Sequence, residues 1–233
     1  MHKRRTRPRS EDSDSDDDSD DHRHPSKFNI TTIDNTIYFN EDITHKTVFQ
    51  LNVALRKLEK KLLSHGSGFG EILRHELERR NMPPPPNLEA MMGSVPIRLH
   101  VTTYGGLVDA AFSAVDCIKG LKVPVVTVVD GYVASAGTLI TLAGTRRLML
   151  PNASMMIHEL RTTIWGKMKD LTDSYENSAK TMEHLVEFYN AHTKLSKKKL
   201  EKTLQRDVNW RAEECLKHGL VDEVLKAGAE DEE

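Results

Sequence analysis

The chain has 233 residues, 38% of them hydrophobic, with a formal net charge of −2 at pH 7. That length can bury the core of one substantial α/β domain, and the near-neutral charge gives no global reason to expect nucleic acid or a membrane surface as partner. No apolar run approaches the ~20 residues of a bilayer-spanning helix, and the first twenty-five residues contain no apolar core of a secretory signal.

Residues 1–27 open with a basic cluster (Lys3, Arg4, Arg5, Arg7, Arg9) and continue with eight acidic residues between Glu11 and Asp21. Such a segment has no apolar surface to offset the entropy of ordering, so it reads as a disordered tail. Its acidity is unlike an organellar transit peptide. KRRTRPR could be a nuclear-targeting or polyanion-binding patch, set against the simpler reading of a solvated charge run.

Order is expected from FNITTIDNTIYF (28–39), rich in β-branched and aromatic residues. HKTVFQLNVALRKLEKKLL (45–63) carries apolar residues at helical spacing. Residues 65–96 then mix glycines, a short helical pattern and four consecutive prolines, which reads as a Gly/Pro-rich insertion with a semi-rigid extended stretch. From Ile97 the rhythm is regular: a strand at 97–102, a helix at 107–121, a buried strand at 123–130, and a helix over 134–144 entered at Ser135. Strands at RLMLP and 154–158 follow, then a long helix over 167–193, shorter helices and a closing VDEVL. Strands alternating with helices imply an α/β fold with largely parallel pairing. The domain is expected to span 28–228, with an acidic tail at 229–233.

Cys117 and Cys215 are the only cysteines and have no metal-ligand or CxxC spacing. They read as small, buried helix residues in a reducing, intracellular setting, with the cytoplasm as the expected location and the nucleus or an organelle as alternatives.

Three short stretches could carry chemistry. Ser135 lies at a strand-to-helix turn between Ala134 and Ala136. That turn can project a hydroxyl at the carboxyl end of a sheet, although a serine there can equally be a helix cap. His158 ends the apolar run SMMIH; it is either a hydrogen-bonded core residue or the base a serine nucleophile requires. Gly105 and Gly106 lie at another strand end, where paired glycines either make a tight turn or offer amides to an oxyanion or an extended peptide. A triad also needs an acid. Asp170, Asp173, Asp207 and Asp222 all follow His158, and spacing does not choose among them.

Taken together, TTYGGLVDAAFSAVD, DGYVASAGTLITLAGTRRLMLPNASMMIH and QRDVNWRAEECLKHGLVDEV resemble the Clp peptidase proteolytic-subunit family, from about Asn35 to Leu225 outside the 65–96 insertion. The resemblance implies a crotonase-like β/α spiral with a protruding handle, here about 159–190. It implies a serine endopeptidase acting on unfolded proteins or peptides through an acyl-enzyme, without metal or other cofactor. The family's nucleophile falls on Ser135, its base on His158, its carboxylate on Asp207, and its oxyanion amides on Gly106 and Ala136. It further implies a homo-oligomeric ring, stacked as paired heptamers, fed by a partner AAA+ unfoldase.

The chain also departs from the family pattern. Arg98, His100 and Asp130 stand where relatives carry apolar residues in the pockets that receive unfoldase loops, which puts that partner in doubt. RTTIWGK replaces the Gly-rich handle strand, Gln205 replaces an acid of the ring contacts, and Ala136 replaces a larger residue, implying a roomier subsite. Three other readings compete: an unfoldase-independent, virus-type processing protease, a catalytically silent ring subunit, and a crotonase-type enzyme acting on acyl-CoA thioesters.

Overall fold

A computed structural model describes residues 30–80, 82–83 and 95–226. The tails at 1–27 and 229–233 and most of the proline run lie outside the described residues.

The chain opens with a hairpin, β1 (Ile30–Ile33) and β2 (Thr36–Asn40), paired antiparallel around Asp34, whose φ of 51° makes the turn. Thr44 then starts α1 (His45–Arg79) with a reciprocal capping box to Thr47. Val48, Leu51, Leu55 and Leu58 line one face of this helix and are buried; each contributes about 1.5–3 kcal/mol relative to exposure. The break expected near residue 65 does not occur, because α1 continues to Arg79. A helix already nucleated extends without a second nucleation cost, so the glycines lower its stability without ending it.

The central elements follow as β3 (Ile97–Thr103), α2 (Val108–Lys119), β4 (Val125–Ala134), α3 (Ala136–Leu142), β5 (Arg146–Met149) and β6 (Ser154–Met156). The C-terminal part comprises α4 (Met168–His192), α5 (Lys197–Leu204), β7 (Trp210–Arg211), α6 (Ala212–His218) and β8 (Glu223–Val224). The sheet runs β1-β2-β3-β4-β5-β8, parallel from β2 to β8. Right-handed parallel crossovers need helices against the sheet; accordingly α1, α2 and α3 share one core with Leu99, Val101, Val125 and Val129. Val126, Val128 and Leu148 form a smaller cluster of their own.

β4 serves two partners. Val126–Val129 pair with β5, whereas Tyr132–Ala134 pair with β6. Gly131, with φ of 96°, lies between the two halves. β6 in turn pairs antiparallel with β7, Met155 opposite Trp210. This second branch carries the candidate site, because β4 and β6 end side by side and the residues before β7 lie beside the residues after β6.

Residues 159–167 make no strand among the described residues, although a handle strand is expected there. Extended backbone becomes a strand only where a second one supplies the ladder. Instead the Glu159 amide donates to Leu204 O (2.7 Å). Of α4 only Leu185, Phe188 and Tyr189 are buried, so its first turns stand away from the core with Met168 and Tyr175 exposed.

Candidate active site

Ser135 occupies the position between β4 and α3 with φ 54° and ψ −129°, a backbone conformation rare outside glycine. Its amide donates to Met156 O (2.8 Å), and its carbonyl accepts from the Thr138 amide (3.0 Å) and the Thr138 hydroxyl (2.7 Å). Thr138 Oγ1 in turn meets the fully buried Tyr189 hydroxyl at 2.6 Å. Burial of that phenol, opposed by its bond to Thr138, pushes its pKa up to about 12, so it stays a neutral partner. The strained serine is thus held on both sides. Its side chain caps nothing in α3; Oγ lies 2.7 Å from His158 Nε2.

His158 follows β6, and the parallel register of Ala134 with Met156 brings the two side chains together from the ends of neighbouring strands. Burial, reinforced by the Arg161 cation, lowers the imidazole's pKa, while Asp207 and Glu159 act in the opposite sense. A neutral ring can accept the Ser135 proton at Nε2 when its own proton sits on Nδ1. Nδ1 is buried and has no hydrogen-bond partner among the described residues.

Of the four candidate carboxylates, Asp207 is the one beside His158: its Oδ1 lies 3.6 Å from Nδ1, beyond hydrogen-bond length. The β6–β7 pairing delivers it there, with the Tyr132 hydroxyl donating to Asn209 Oδ1 (3.1 Å) in the same loop. The other three have different partners. Asp170 accepts from the Lys167 amide (3.0 Å) at the start of α4, Asp173 pairs with Lys169 (2.8 Å), and Asp222 holds Arg147 through Nε (3.0 Å) and Nη2.

Gly105 and Gly106 pass beside this pair with φ of 104° and 146°. A Cβ on Gly105 would come 2.7 Å from Ser135 Cβ, and one on Gly106 2.1 Å from Ile43 O. The Gly105 amide is engaged by Thr103 Oγ1 (3.0 Å), so it shapes the loop and is not a free donor. Ile43 fixes the loop through Gly105 O and the Leu107 amide, both at 2.8 Å. In such a bridge the intervening Gly106 N–H faces away from Ile43. Ala136, first residue of α3, presents an N–H with no intrahelical carbonyl to meet. Both residues line a pocket of about 110 Å³ with Ser135, His158, Leu160 and Tyr189.

Arg161 also lines this pocket, and its Nη2 contacts Asp207 Oδ2 closely. The two residues lie 46 positions apart, and sequence reasoning missed the pair because no local pattern links them. His100, expected in a partner-docking pocket, is buried, with Nδ1 3.3 Å from Asp130 Oδ2 and its ring 4.9 Å from that of Tyr38. Arg98 is half-buried on the same strand. Gln205 ends α5. Cys117 and Cys215 are free and buried, and burial pushes the Cys215 thiol up to about 12, so it carries no thiolate chemistry. Among the described residues no cluster could hold a metal ion, and no helix is long and apolar enough to cross a membrane.

The fold is shared with solved structures. A point mutant of ClpP1 from Listeria monocytogenes superposes with a TM-score of 0.63 at 22% identity, covering 82% of this chain and 91% of that one. The β/α spiral with a handle helix is therefore the fold of this protein. Curated relatives named ATP-dependent Clp protease proteolytic subunit include one from Deinococcus radiodurans, 34% identical over 131 residues. The match spans 55% of this chain and 64% of that protein, a little under two thirds of its length. Subunit 1 from Chlamydia muridarum is 35% identical over 142 residues, 59% of this chain and 74% of its own. The Streptococcus pyogenes protein is 35% identical over 143 residues, 60% and 73% respectively. The description Clp protease fits residues 86–228, more than half of the sequence, and on that ground the chain belongs to the Clp protease family.

Proposed function

We propose that this chain is a serine endopeptidase subunit whose 28–228 domain hydrolyses peptide bonds of unfolded proteins through Ser135, His158 and Asp207. The observation that carries the reading is the 2.7 Å contact between Ser135 Oγ and His158 Nε2 at a strained strand-to-helix turn. His158 Nε2 takes the Ser135 proton as Oγ attacks the scissile carbonyl. The N–H groups of Gly106 and Ala136 receive the oxyanion. The imidazolium then gives its proton to the leaving amine, and an acyl group remains on Ser135. Water, deprotonated by the same imidazole, releases it. Asp207, the carboxylate beside Nδ1 at 3.6 Å, stabilises the imidazolium by its charge and, on closing to hydrogen-bond distance, accepts the hydrogen bond of the Nδ1 proton.

The names of the relatives, ATP-dependent Clp protease proteolytic subunit, support dependence on ATP; the arrangement we propose for it is a homo-oligomeric ring, stacked in pairs, that receives chains from an AAA+ unfoldase. A second reading, an unfoldase-independent processing protease, is favoured by the His100–Asp130 pair, since an ionisable pair makes a poor seat for an apolar docking anchor.

The test is cleavage of a short fluorogenic peptide by the purified chain and by Ser135→Ala, with no ATPase added. Short peptides enter a barrel unaided, so activity is expected from the first and loss of several orders of magnitude in the second. Undiminished cleavage by Ser135→Ala would overturn the assignment.

A further inference from the structure

Asp207 faces a different side chain with each of its two oxygens. Oδ2 is engaged by Arg161, and Oδ1 stops 3.6 Å short of His158 Nδ1. A hydrogen bond there requires about 2.7–2.9 Å, so the carboxylate stands roughly 0.8 Å too far away. On the other side, Nδ1 is buried and unpartnered among the described residues. A buried donor left without an acceptor is costly, so the imidazole gains from movement of Asp207 toward it. The other oxygen of that carboxylate is engaged by the Arg161 guanidinium, which sits on the residue 159–167 strap and also lines the pocket. Arg161 and Asp207 are exposed over 67% and 51% of their side chains. An ion pair that open is weak and easily exchanged.

We propose that Arg161 is a positioning residue of the site, a latch that holds the Asp207 carboxylate off His158 Nδ1 until the ion pair relaxes. The inference rests on the peptidase reading above. It differs from that reading in what it assigns, since Arg161 touches neither Ser135 nor the reacting carbonyl in the mechanism and acts only through Asp207.

The charges facing His158 are Arg161 and Glu159 on the strap and Asp207 on the loop before β7. Removing Arg161 deletes the cation that disfavours the imidazolium and frees the carboxylate that favours it. Both changes raise the His158 pKa, so the acidic limb of kcat/KM moves to higher pH. At the plateau, where His158 is neutral, completing the Asp207 bond raises kcat about three- to tenfold. Arg161→Lys, which keeps the cation, should stay close to the parent on both measures.

The experiment compares the full chain with Arg161→Gln, Arg161→Ala and Arg161→Lys. Two readouts are taken: the pH dependence of kcat/KM on an uncharged short peptide, and the His158 titration by NMR of the imidazole ring, assigned by difference with His158→Gln. An upward midpoint in the Gln and Ala variants with a higher plateau is the expected result. A midpoint at or below that of the parent, or a plateau that falls, means that Arg161 supports the productive position of Asp207, and overturns the latch. The NMR titration does not require turnover. A chain that cleaves nothing but shows the shift would remove the peptidase reading and keep the Arg161–Asp207–His158 coupling, while a cleaving chain without the shift would do the reverse.

Discussion

Gly106→Ala puts the oxyanion loop under a test whose size can be worked from contacts. The native φ of 146° lies in a region that L side chains avoid, so the added Cβ strains the backbone by about 1–3 kcal/mol. It would also sit 2.1 Å from Ile43 O and 2.9 Å from the Ile43 carbonyl carbon. Carbon meets a carbonyl oxygen ordinarily near ~3.3 Å, so the loop must back away by about 1 Å. Ile43 cannot yield easily: it is 1% exposed, and its amide and carbonyl are both tied to the same loop. The shift therefore falls on Gly106 N–H, the donor assigned to the oxyanion. Displacement of a catalytic group by ~1 Å can cost on the order of 10²-fold, and loss of one oxyanion donor 10²–10³ in kcat. The predicted outcome is a fall in kcat of roughly 10²–10³ with a Tm lowered by about 3–10 °C, read by peptide cleavage and thermal melting of the same preparation. Gly131→Ala is the control, since φ is 96° but the nearest atom, Thr102 Oγ1, is 3.5 Å away. It should lose stability through strain and keep most of its activity. A folded Gly106→Ala protein with the parent kcat would refute the oxyanion assignment.

Asp207→Asn removes the carboxylate that raises the His158 pKa, so the acidic limb of kcat/KM should move to lower pH while the plateau drops on the order of 10²–10⁴; a limb that moves upward would contradict the charge assignment. Ala136→Met fills the 110 Å³ pocket from a position only 3% exposed, and kcat/KM should fall tenfold or more for a peptide with a bulky apolar residue at the cleavage position, with less effect on an alanine peptide. Equal effects on both would place the subsite elsewhere. Arg147 donates to His192 O (2.6 Å), Gly219 O (3.0 Å) and Asp222, so Arg147→Met should cost about 2–4 kcal/mol, seen as a lower denaturation midpoint. Because Arg147 holds the Asp222 carboxyl below its usual range, that stability is present above the ordinary carboxylate pKa and lost as pH falls through the lowered one. The variant should therefore show a flatter acid side in its Tm-versus-pH curve.

Local pattern carried much of the architecture. The alternation in 97–102, the apolar run at 123–129 and the helical spacing of 45–58 each correspond to an observed element, because burial on one face writes a period into the chain. Patterns failed where the determinant was not local. The glycines after Ser64 look like an end to α1, yet the helix runs on to Arg79. The division of β4 between two partners leaves only Gly131 as a trace in the sequence. At the site, a turn serine and a strand-end histidine were legible, but neither their 2.7 Å contact nor the choice among four aspartates follows from spacing. That choice depends on the β6–β7 ladder, two residues long, which no periodicity announces. Arg161 was invisible as a site residue for the same reason: only folding brings the strap to Asp207.

Activation of Ser135 by His158 is tested by peptide mapping by mass spectrometry after brief treatment with a fluorophosphonate, which reacts with an activated serine hydroxyl. One adduct is expected, on Ser135, formed orders of magnitude more slowly in His158→Ala and absent in Ser135→Ala. An unmodified Ser135 in folded protein, or labelling that is indifferent to His158, would contradict it.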